Sequence, residues 1–411
     1  MTKPPAIPCD CDLIREASGL SESGTIGSRL RVIRRERNLT QEELAEAVGV
    51  SREIVAKLEQ GRRQSARTTT LMKLSDALDV DLSELTGKRD RIGADRDGGR
   101  VLALRDVLVS PTFLPGIDSQ DDREPTPAAE LQRAVDAATD VYWKGDFGGL
   151  LARLPGLIGE ARHAHAATGS AAVRPLALAY DLGASLLVHL GRDDLAALAS
   201  ERAIVTARDG DDELLWATLH ATYSWILLHQ ARLAEAEDLA ARMADRIEPS
   251  FSADPQRIAA WGNLLVTALA PAAAARRDVT EYISMAGAAG ERLGGRVSVY
   301  QTSFGPASAA MQATHAHTVR REPARALEAA RRIRPGDLQG ISRGRHLLDV
   351  AQAHTDARHR RAAVECLQEA RDLSPVWFRH QGVARSLVRD IREEETRPSP
   401  AIRSLAKSLA V

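Results

Sequence analysis

Apolar residues recur at helical spacing through the stretch TQEELAEAVGVSREIVAKLEQGR, residues 40 to 62. The pattern predicts two short amphipathic helices separated by a turn at Gly49, where a residue without a side chain avoids backbone strain. Thr40 and Glu43 have the spacing of a capping box on the first helix, and Ser51 can cap the second. The apolar positions of the two helices are Leu44, Ala45, Val48, Val55 and Leu58.

The chain from residue 127 to about 374 is also helical in period, and it is interrupted at intervals of about 40 residues. This spacing is that of one helical hairpin with its loops, repeated about six times. Alternating Val-rich segments are nearly absent, so no sheet is expected. The predicted fold is therefore all-α. The breaks lie at Lys144-Gly145-Asp146, Gly191-Arg192-Asp193, Ala231-Arg232, Arg277-Asp278, Arg321-Glu322-Pro323 and Arg358-His359.

Composition divides the 411 residues into four segments. We predict an unstructured tail at 1–24, a small helical domain at 25–87, a linker at 88–126 that begins with the charged, Gly-rich stretch GKRDRIGADRDGGR, and a helical repeat domain at 127–411. A short element is possible within the apolar part of the linker.

Charge is distributed unevenly between these segments. The whole chain has a formal net charge of −1, but residues 27–67 hold ten Lys/Arg against six Asp/Glu, a net of +4 that leaves −5 elsewhere. A basic domain on a mildly acidic body suits a nucleic-acid partner for the small domain alone.

The second helix of the opening stretch has an outer face that packing does not use. With Ile54, Val55 and Leu58 turned inward, Arg52, Glu53, Ala56 and Lys57 face outward. The major groove of DNA is just wide enough for one helix that presents such side chains.

Residues 26–86 resemble the five-helix DNA-binding domain of the lambdoid phage repressors, the Xre/Cro family. The matching positions are Arg34, Leu39-Thr40-Gln41, Leu44-Ala45, Gly49-Val50-Ser51, Leu58-Glu59, Gly61, TTTLMKLSDALDV and LSEL. The resemblance implies that Gln41 binds a phosphate and that Arg34 and Glu59 form an internal ion pair. We expect Arg35 and Arg37 to lie on a solvated face. The implied DNA-binding residues are Gln41, Ser51, Arg52, Glu53, Lys57, Arg62 and Arg63.

The hairpins, best formed in HLLDVAQAHTDARHRRAAVECLQEARDLSP, resemble tetratricopeptide repeats. An Xre head on such an array resembles the peptide-sensing regulators of Gram-positive quorum signalling and large actinobacterial regulators. The resemblance implies a homodimer on a double-stranded operator, with a peptide or small molecule on the inner helices. The ligand candidates are Trp261, Asn263, Gln301, Gln312, Arg343 and Arg345. The alternative is a scaffold, localised on DNA, whose repeats bind a protein.

Other functions find little support in the sequence. Phosphate-loop, HExxH and GxSxG patterns are missing, so no enzyme and no cofactor are expected. Cys9, Cys11 and Cys366 lack further ligands at zinc spacing, which argues against a metal site. The N-terminus has no signal-peptide pattern, and apolar runs such as 263–275 are too short to span a bilayer. We therefore expect no membrane partner and a cytoplasmic, nucleoid-associated protein.

Overall fold

The chain divides into two compact units, Met1–Arg89 and Asp90–Val411. The computed structural model describes residues 26–37, 39–61, 68–78, 80, 85, 98–111, 123–334, 336–338, 340–379, 381–395 and 398–409. The predicted tail at 1–24 lies outside the described residues.

The first unit is a cluster of short helices around an apolar core. Its described helices are α1 (Ile26–Glu36), α2 (Gln41–Val48), α3 (Arg52–Glu59) and α4 (Thr68–Leu78). Leu30, Leu44, Val55, Leu58 and Leu78 are fully buried, as the amphipathic spacing predicts. The predicted fifth helix falls outside the described residues except for Leu85, which is buried.

The second unit is built from helical hairpins. Its helices are α5 (Gly98–Val109), α6 (Ala128–Trp143), α7 (Phe147–Thr168), α8 (Val173–His189), α9 (Asp193–Ala207), α10 (Glu213–His229), α11 (Leu233–Arg246), α12 (Pro255–Ala274), α13 (Thr280–Leu293), α14 (Pro306–Val319), α15 (Pro323–Ala330), α16 (Gly340–Asp356), α17 (Arg360–Leu373), α18 (Pro375–Arg379), α19 (Gly382–Glu394) and α20 (Pro400–Leu409). A 3₁₀ turn, Gly169–Ala172, separates α7 from α8.

The six predicted breaks are the turns inside six hairpins, α6–α7 through α16–α17, with α14–α15 following a small sheet. Each turn holds one residue with a left-handed backbone, φ between 60° and 75°. Left-handed φ is costly for residues other than glycine, yet four of the six are Ala or Arg. The residues are Gly145, Gly191, Ala231, Arg276, Arg321 and Arg358.

The first helices of successive hairpins (α6, α8, α10, α12, α14 and α16) pack against one another and form an inner layer. The array also curls far enough for its sixth hairpin to meet its first. A Cβ atom on Gly340 would lie 2.1 Å from the Trp143 carbonyl oxygen, so only glycine allows α16 to approach the end of α6 this closely. One continuous core accordingly contains buried residues of both ends of the array, from Leu104 to Leu409.

Helix α5 lies within the segment predicted as a linker and packs onto α7 and α9 of the second unit. Leu104 and Leu108 are its buried residues. The buried guanidinium of Arg162 donates hydrogen bonds to the carbonyl oxygens of Val107 and Leu108 and to the Tyr180 hydroxyl. A cation at the C-terminal carbonyls of a helix is well placed, because that end carries partial negative charge.

The expectation that the chain contains no sheet is wrong. Strands β1 (Val297–Val299) and β2 (Thr302–Phe304) form an antiparallel hairpin between α13 and α14. Tyr300 at its tip has φ 52°. The Tyr300 hydroxyl lies 2.5 Å from both carboxylate oxygens of Asp212, which ties the hairpin to the start of α10. Strands of three residues are too short to show an alternating pattern in the sequence.

The expectation that every apolar run is too short for a bilayer also needs correction. Within the described residues, Phe147–His189 is long and apolar enough to cross a membrane by length and composition. It consists of two helices separated by the 3₁₀ turn, and 83% of its most apolar window is buried. Core helices of this kind pass the same test, so the stretch is weak evidence for a membrane span.

Candidate nucleic-acid interface

Helix α2 has a cap at each end. The Thr40 hydroxyl accepts a hydrogen bond from the Glu43 amide at 3.2 Å, and the Glu43 carboxylate accepts one from the Thr40 amide at 2.7 Å. Gly49 ends α2 with φ 69°. The capping box and the glycine turn are therefore confirmed: the box fixes where α2 begins, and the turn fixes the direction in which the chain leaves α2 toward α3.

Helix α3 has one buried and one exposed face. Val55 and Leu58 are fully buried between α2 and α1, whereas the side chains of Arg52, Glu53 and Lys57 are exposed by 64%, 81% and 58%. At 3.6 residues per turn the three side chains lie within about 140° of one side of α3, so they form one patch. We call Arg52, Glu53 and Lys57 the recognition patch.

Arg34 and Glu59 form the predicted internal ion pair. Arg34 donates from Nε to Glu59 Oε1 at 2.6 Å and from Nη2 to Oε2 at 3.0 Å. Gln41 donates from Nε2 to Glu59 Oε2 at 2.7 Å. Burial alone would raise the pKa of Glu59, but the hydrogen bonds from Arg34 and Gln41 outweigh burial and hold that pKa below its ordinary value.

Gln41, which is predicted to bind a phosphate, already donates one hydrogen bond within the domain. An amide nitrogen carries two hydrogens, and one is donated to Glu59. The second could bind a phosphate oxygen while Glu59 fixes the amide in place. The phosphate contact of Gln41 stays a prediction.

Both cations of the recognition patch are paired with carboxylates. Arg52 Nε lies 2.7 Å from Glu42 Oε1 on α2, and Lys57 Nζ lies 3.6 Å from Glu53 Oε2 one turn away. The spacing of four residues could have indicated the second pair, whereas the first depends on how α2 crosses α3. Exposed pairs of this kind contribute about 0–1 kcal/mol, so DNA phosphates can replace the carboxylates.

One neighbouring prediction needs correction. Ser51 occupies the capping position of α3, but its side chain makes no capping hydrogen bond. Arg37 is exposed, as predicted, and its Nε also donates to the Leu78 carbonyl oxygen at 2.8 Å, which satisfies the end of α4. Arg62 and Arg63 lie outside the described residues.

The ligand candidates do not share one set of partners. Gln301 Nε2 donates to the Leu178 carbonyl oxygen at 2.8 Å, and Arg343 hydrogen-bonds Glu369. Arg345 lies over the Trp225 ring, 5.9 Å from its centre. Trp261 is half-buried against the core of the middle hairpins, and Asn263 and Gln312 are half-buried on α12 and α14. Three candidates are thus directed toward three different helices.

Among the residues that the structure describes, no group of three or more His, Cys, Asp or Glu side chains could hold a metal ion.

Residues 30–85 match the family model of the helix-turn-helix. This segment is a helix-turn-helix domain. An immunity repressor protein of Bacillus phage phi105 is 37% identical over 68 residues, which are 16% of this chain. The match spans about half of that relative, 46% of its length. The likeness is therefore one of the helix-turn-helix domain.

Two solved structures are similar to larger parts of the chain. One is Bacillus thuringiensis PlcR in complex with the peptide PapR7 and DNA, with 13% identity, a TM-score of 0.29 and coverage of 66% of this chain and 95% of that one. The other is BtubC (BKLC) from P. vanneervenii, with 13% identity, a TM-score of 0.37 and coverage of 66% and 94%. Both TM-scores are low, and neither likeness carries an inference about this chain.

Proposed function

We propose that this protein is a sequence-specific DNA-binding transcriptional regulator that acts in the cytoplasm on a double-stranded operator. The observation that carries the proposal is the recognition patch: three charged side chains are exposed on α3, while the opposite face of α3 is buried. Such a helix can enter a major groove without disturbing its own packing. The match of residues 30–85 to the helix-turn-helix model and the likeness to a phage repressor support the same reading.

The members of the patch have separate roles in this proposal. The Arg52 guanidinium forks onto a guanine edge, and Glu53 either accepts from a cytosine or supports Arg52. Lys57 also reaches a base edge, whereas Arg62 and Arg63 bind phosphates, which position the helix without reading sequence. Ser51 and Gln41 contribute hydrogen bonds at the starts of α3 and α2.

We also propose that the repeat domain dimerises and senses a small ligand, which is a peptide or another small molecule. One head contacts few base pairs, so two heads on half-sites one helical turn apart would give adequate affinity. The first helices of the hairpins pack in one layer, and Arg345 on this layer is an exposed cation that can pair with an acidic group of a ligand. The alternative is that the repeats bind a protein and that the helix-turn-helix domain only places this scaffold on DNA.

Titration of an operator at two salt concentrations tests the DNA-binding role. We expect Arg52→Ala to cost about 1–3 kcal/mol of affinity and to loosen sequence choice. Arg361→Ala, which removes an exposed and singly paired arginine from the repeat domain, is the matched control and should change nothing. Equal affinities of wild type and Arg52→Ala would rule out base reading by Arg52.

A further inference from the structure

Helix α5 is held to the second unit by one face. Leu104 and Leu108 are fully buried in the core of that unit, and α5 packs onto α7 and α9. Arg162 on α7 donates hydrogen bonds to the carbonyl oxygens of Val107 and Leu108 at the C-terminal end of α5. These contacts fix the rotation of α5 about its own axis, so the opposite face of the helix stays on the outside.

The outer face of α5 combines apolar and charged side chains. Leu102 and Val109 are 47% and 49% exposed. Between them lie Arg105 and Asp106, whose side chains are 47% and 64% exposed. At 3.6 residues per turn these four side chains fall within about 100° of one side of the helix, and we call them the outer stripe. Single exposed aliphatic residues are ordinary, whereas an ordered stripe on one helix indicates a contact surface.

The order of residues in the outer stripe is self-complementary. A two-fold axis perpendicular to α5 and midway between Arg105 and Asp106 is equidistant from Leu102 and Val109, about 5 Å along the helix from each. Rotation about this axis places Leu102 of one copy opposite Val109 of the other. It also places Arg105 opposite Asp106 at the centre. A parallel pair of the same helices would instead put like charges opposite each other, so the charges favour the antiparallel pair.

We propose that the outer stripe is the dimerisation surface of this protein and that α5 of a second copy lies antiparallel on it. The inference rests on the proposed dimerisation and names its surface. Leu102 and Val109 cover each other at both ends of the helix pair. Arg105 Nη2 lies 3.0 Å from Asp106 Oδ1 within one copy, and each carboxylate can also accept a hydrogen bond from the other copy's guanidinium. Such an interface is isologous, because both copies contribute the same surface.

The place of α5 in the chain suits the pairing of two heads. Only residues 86–97 separate Leu85 of the helix-turn-helix domain from the start of α5 at Gly98. A segment of this length spans at most about 45 Å when fully extended. Two heads tethered beside one axis can therefore reach half-sites about 34 Å apart.

The size of the surface sets the expected strength of the dimer. One pair of 12-residue helices is small beside the roughly 800 Å² per partner of a standard interface. We therefore expect the free protein to dissociate in the micromolar range and an operator with two half-sites to stabilise the dimer.

Sedimentation equilibrium of the full-length protein between about 0.5 and 50 µM tests the central charges. Arg105→Asp places like charges across the axis and should weaken dimerisation at least about tenfold. The double variant Arg105→Asp with Asp106→Arg restores opposite charges across the axis and should return the dissociation constant to within about threefold of wild type. A double variant as weak as Arg105→Asp would overturn the antiparallel pairing.

A second pair of variants tests the apolar ends. Leu102→Glu should also weaken dimerisation at least about tenfold, because it introduces a charge into the covered part of the stripe. Val376→Glu on α18 is the matched control: Val376 is 46% exposed, and this variant should dimerise like wild type. Circular dichroism shows that each variant is folded. Unchanged dimerisation of Leu102→Glu, or loss of dimerisation in Val376→Glu instead, would overturn the placement of the interface on α5.

The behaviour of the wild-type protein separates this inference from the proposed function. If wild type dimerises and the α5 variants dimerise equally well, dimerisation stands and the outer stripe is not its surface. If wild type remains a monomer up to about 50 µM and also on an operator with two half-sites, the proposed dimerisation is itself wrong.

Discussion

The buried ion pair between Arg34 and Glu59 makes the helix-turn-helix domain sensitive to one substitution. Glu59→Ala removes three hydrogen-bond acceptances, two from Arg34 and one from Gln41. The side chains of Arg34 and Glu59 are only 10% and 3% exposed, so the guanidinium would stay buried with the Leu39 carbonyl oxygen as its remaining partner. Breaking one side of a buried pair costs about 3–5 kcal/mol, which is most of the stability of a small domain.

The sequence offers a way to observe this domain separately. Its residues 26–85 contain no Trp or Tyr, and the five Trp residues all lie in the second unit. Urea unfolding followed by tryptophan fluorescence therefore reports the repeat domain, whereas circular dichroism reports both units. With a slope near 1–2 kcal/mol per molar urea, a loss of about 3–5 kcal/mol in Glu59→Ala should move the transition of the first unit by about 1.5–5 M and leave the fluorescence transition in place.

A control on the same helix is Glu53→Ala, because the Glu53 carboxylate is exposed and singly paired. Its effect should stay within about 0.5 kcal/mol. The folded-state pKa of Glu59 is lowered, so its contribution is present above the ordinary pKa of a glutamate and is lost as the pH falls through the folded-state pKa. A loss below about 1 kcal/mol for Glu59→Ala would refute the structural role of the pair.

Three further predictions concern the recognition patch and the repeat domain. Glu42→Gln should raise operator affinity by up to about fivefold in titrations, because it frees the cation that Glu42 holds on α3. Burial raises the pKa of Asp181 to about 7, so between about pH 4 and 7 the folded state holds a proton that the unfolded state has lost, and the protein loses stability as the pH rises. The free energy of unfolding of Asp181→Asn, measured in urea, should therefore exceed that of wild type by up to about 4 kcal/mol at pH 8 and by less at pH 5. The same difference at both pH values would contradict this. Gly262→Ala should lower the free energy of unfolding, followed by fluorescence, by about 1–3 kcal/mol, because the added Cβ would lie 2.2 Å from the buried Phe304 ring. The control is Gly159→Ala, whose Cβ meets no atom within 4 Å, and it should be neutral or stabilising.

Local features of the fold were predictable because they depend on residues close in the chain. The capping box of Thr40 and Glu43 and the six hairpin turns follow from spacing and turn residues. The Arg34–Glu59 pair, 25 residues apart, was available only through the family resemblance. Burial of Val55 and Leu58 and exposure of the recognition patch follow from helical period.

Features that join distant parts of the chain were not predictable from pattern. The pairing of Arg52 with Glu42 depends on a crossing angle. The hydrogen bond from Gln301 to the Leu178 carbonyl oxygen depends on a hairpin of three-residue strands and joins residues more than a hundred positions apart in the chain. This bond gives the ligand candidate Gln301 a structural contact within the repeat domain. The burial of Asp181 was not predictable either, because the environment of a single Asp on an apolar helix depends on the other helices packed around it.

We propose that the helix-turn-helix domain reads DNA sequence and that the repeat domain pairs two such heads. Selection of bound fragments from random-sequence duplexes by the full-length protein tests both parts at once. We expect an enriched motif with two inverted half-sites about 10 base pairs apart, centre to centre, and loss of base preference within each half-site for Arg52→Ala. Enrichment of no motif, or of the same motif by wild type and Arg52→Ala, would contradict it.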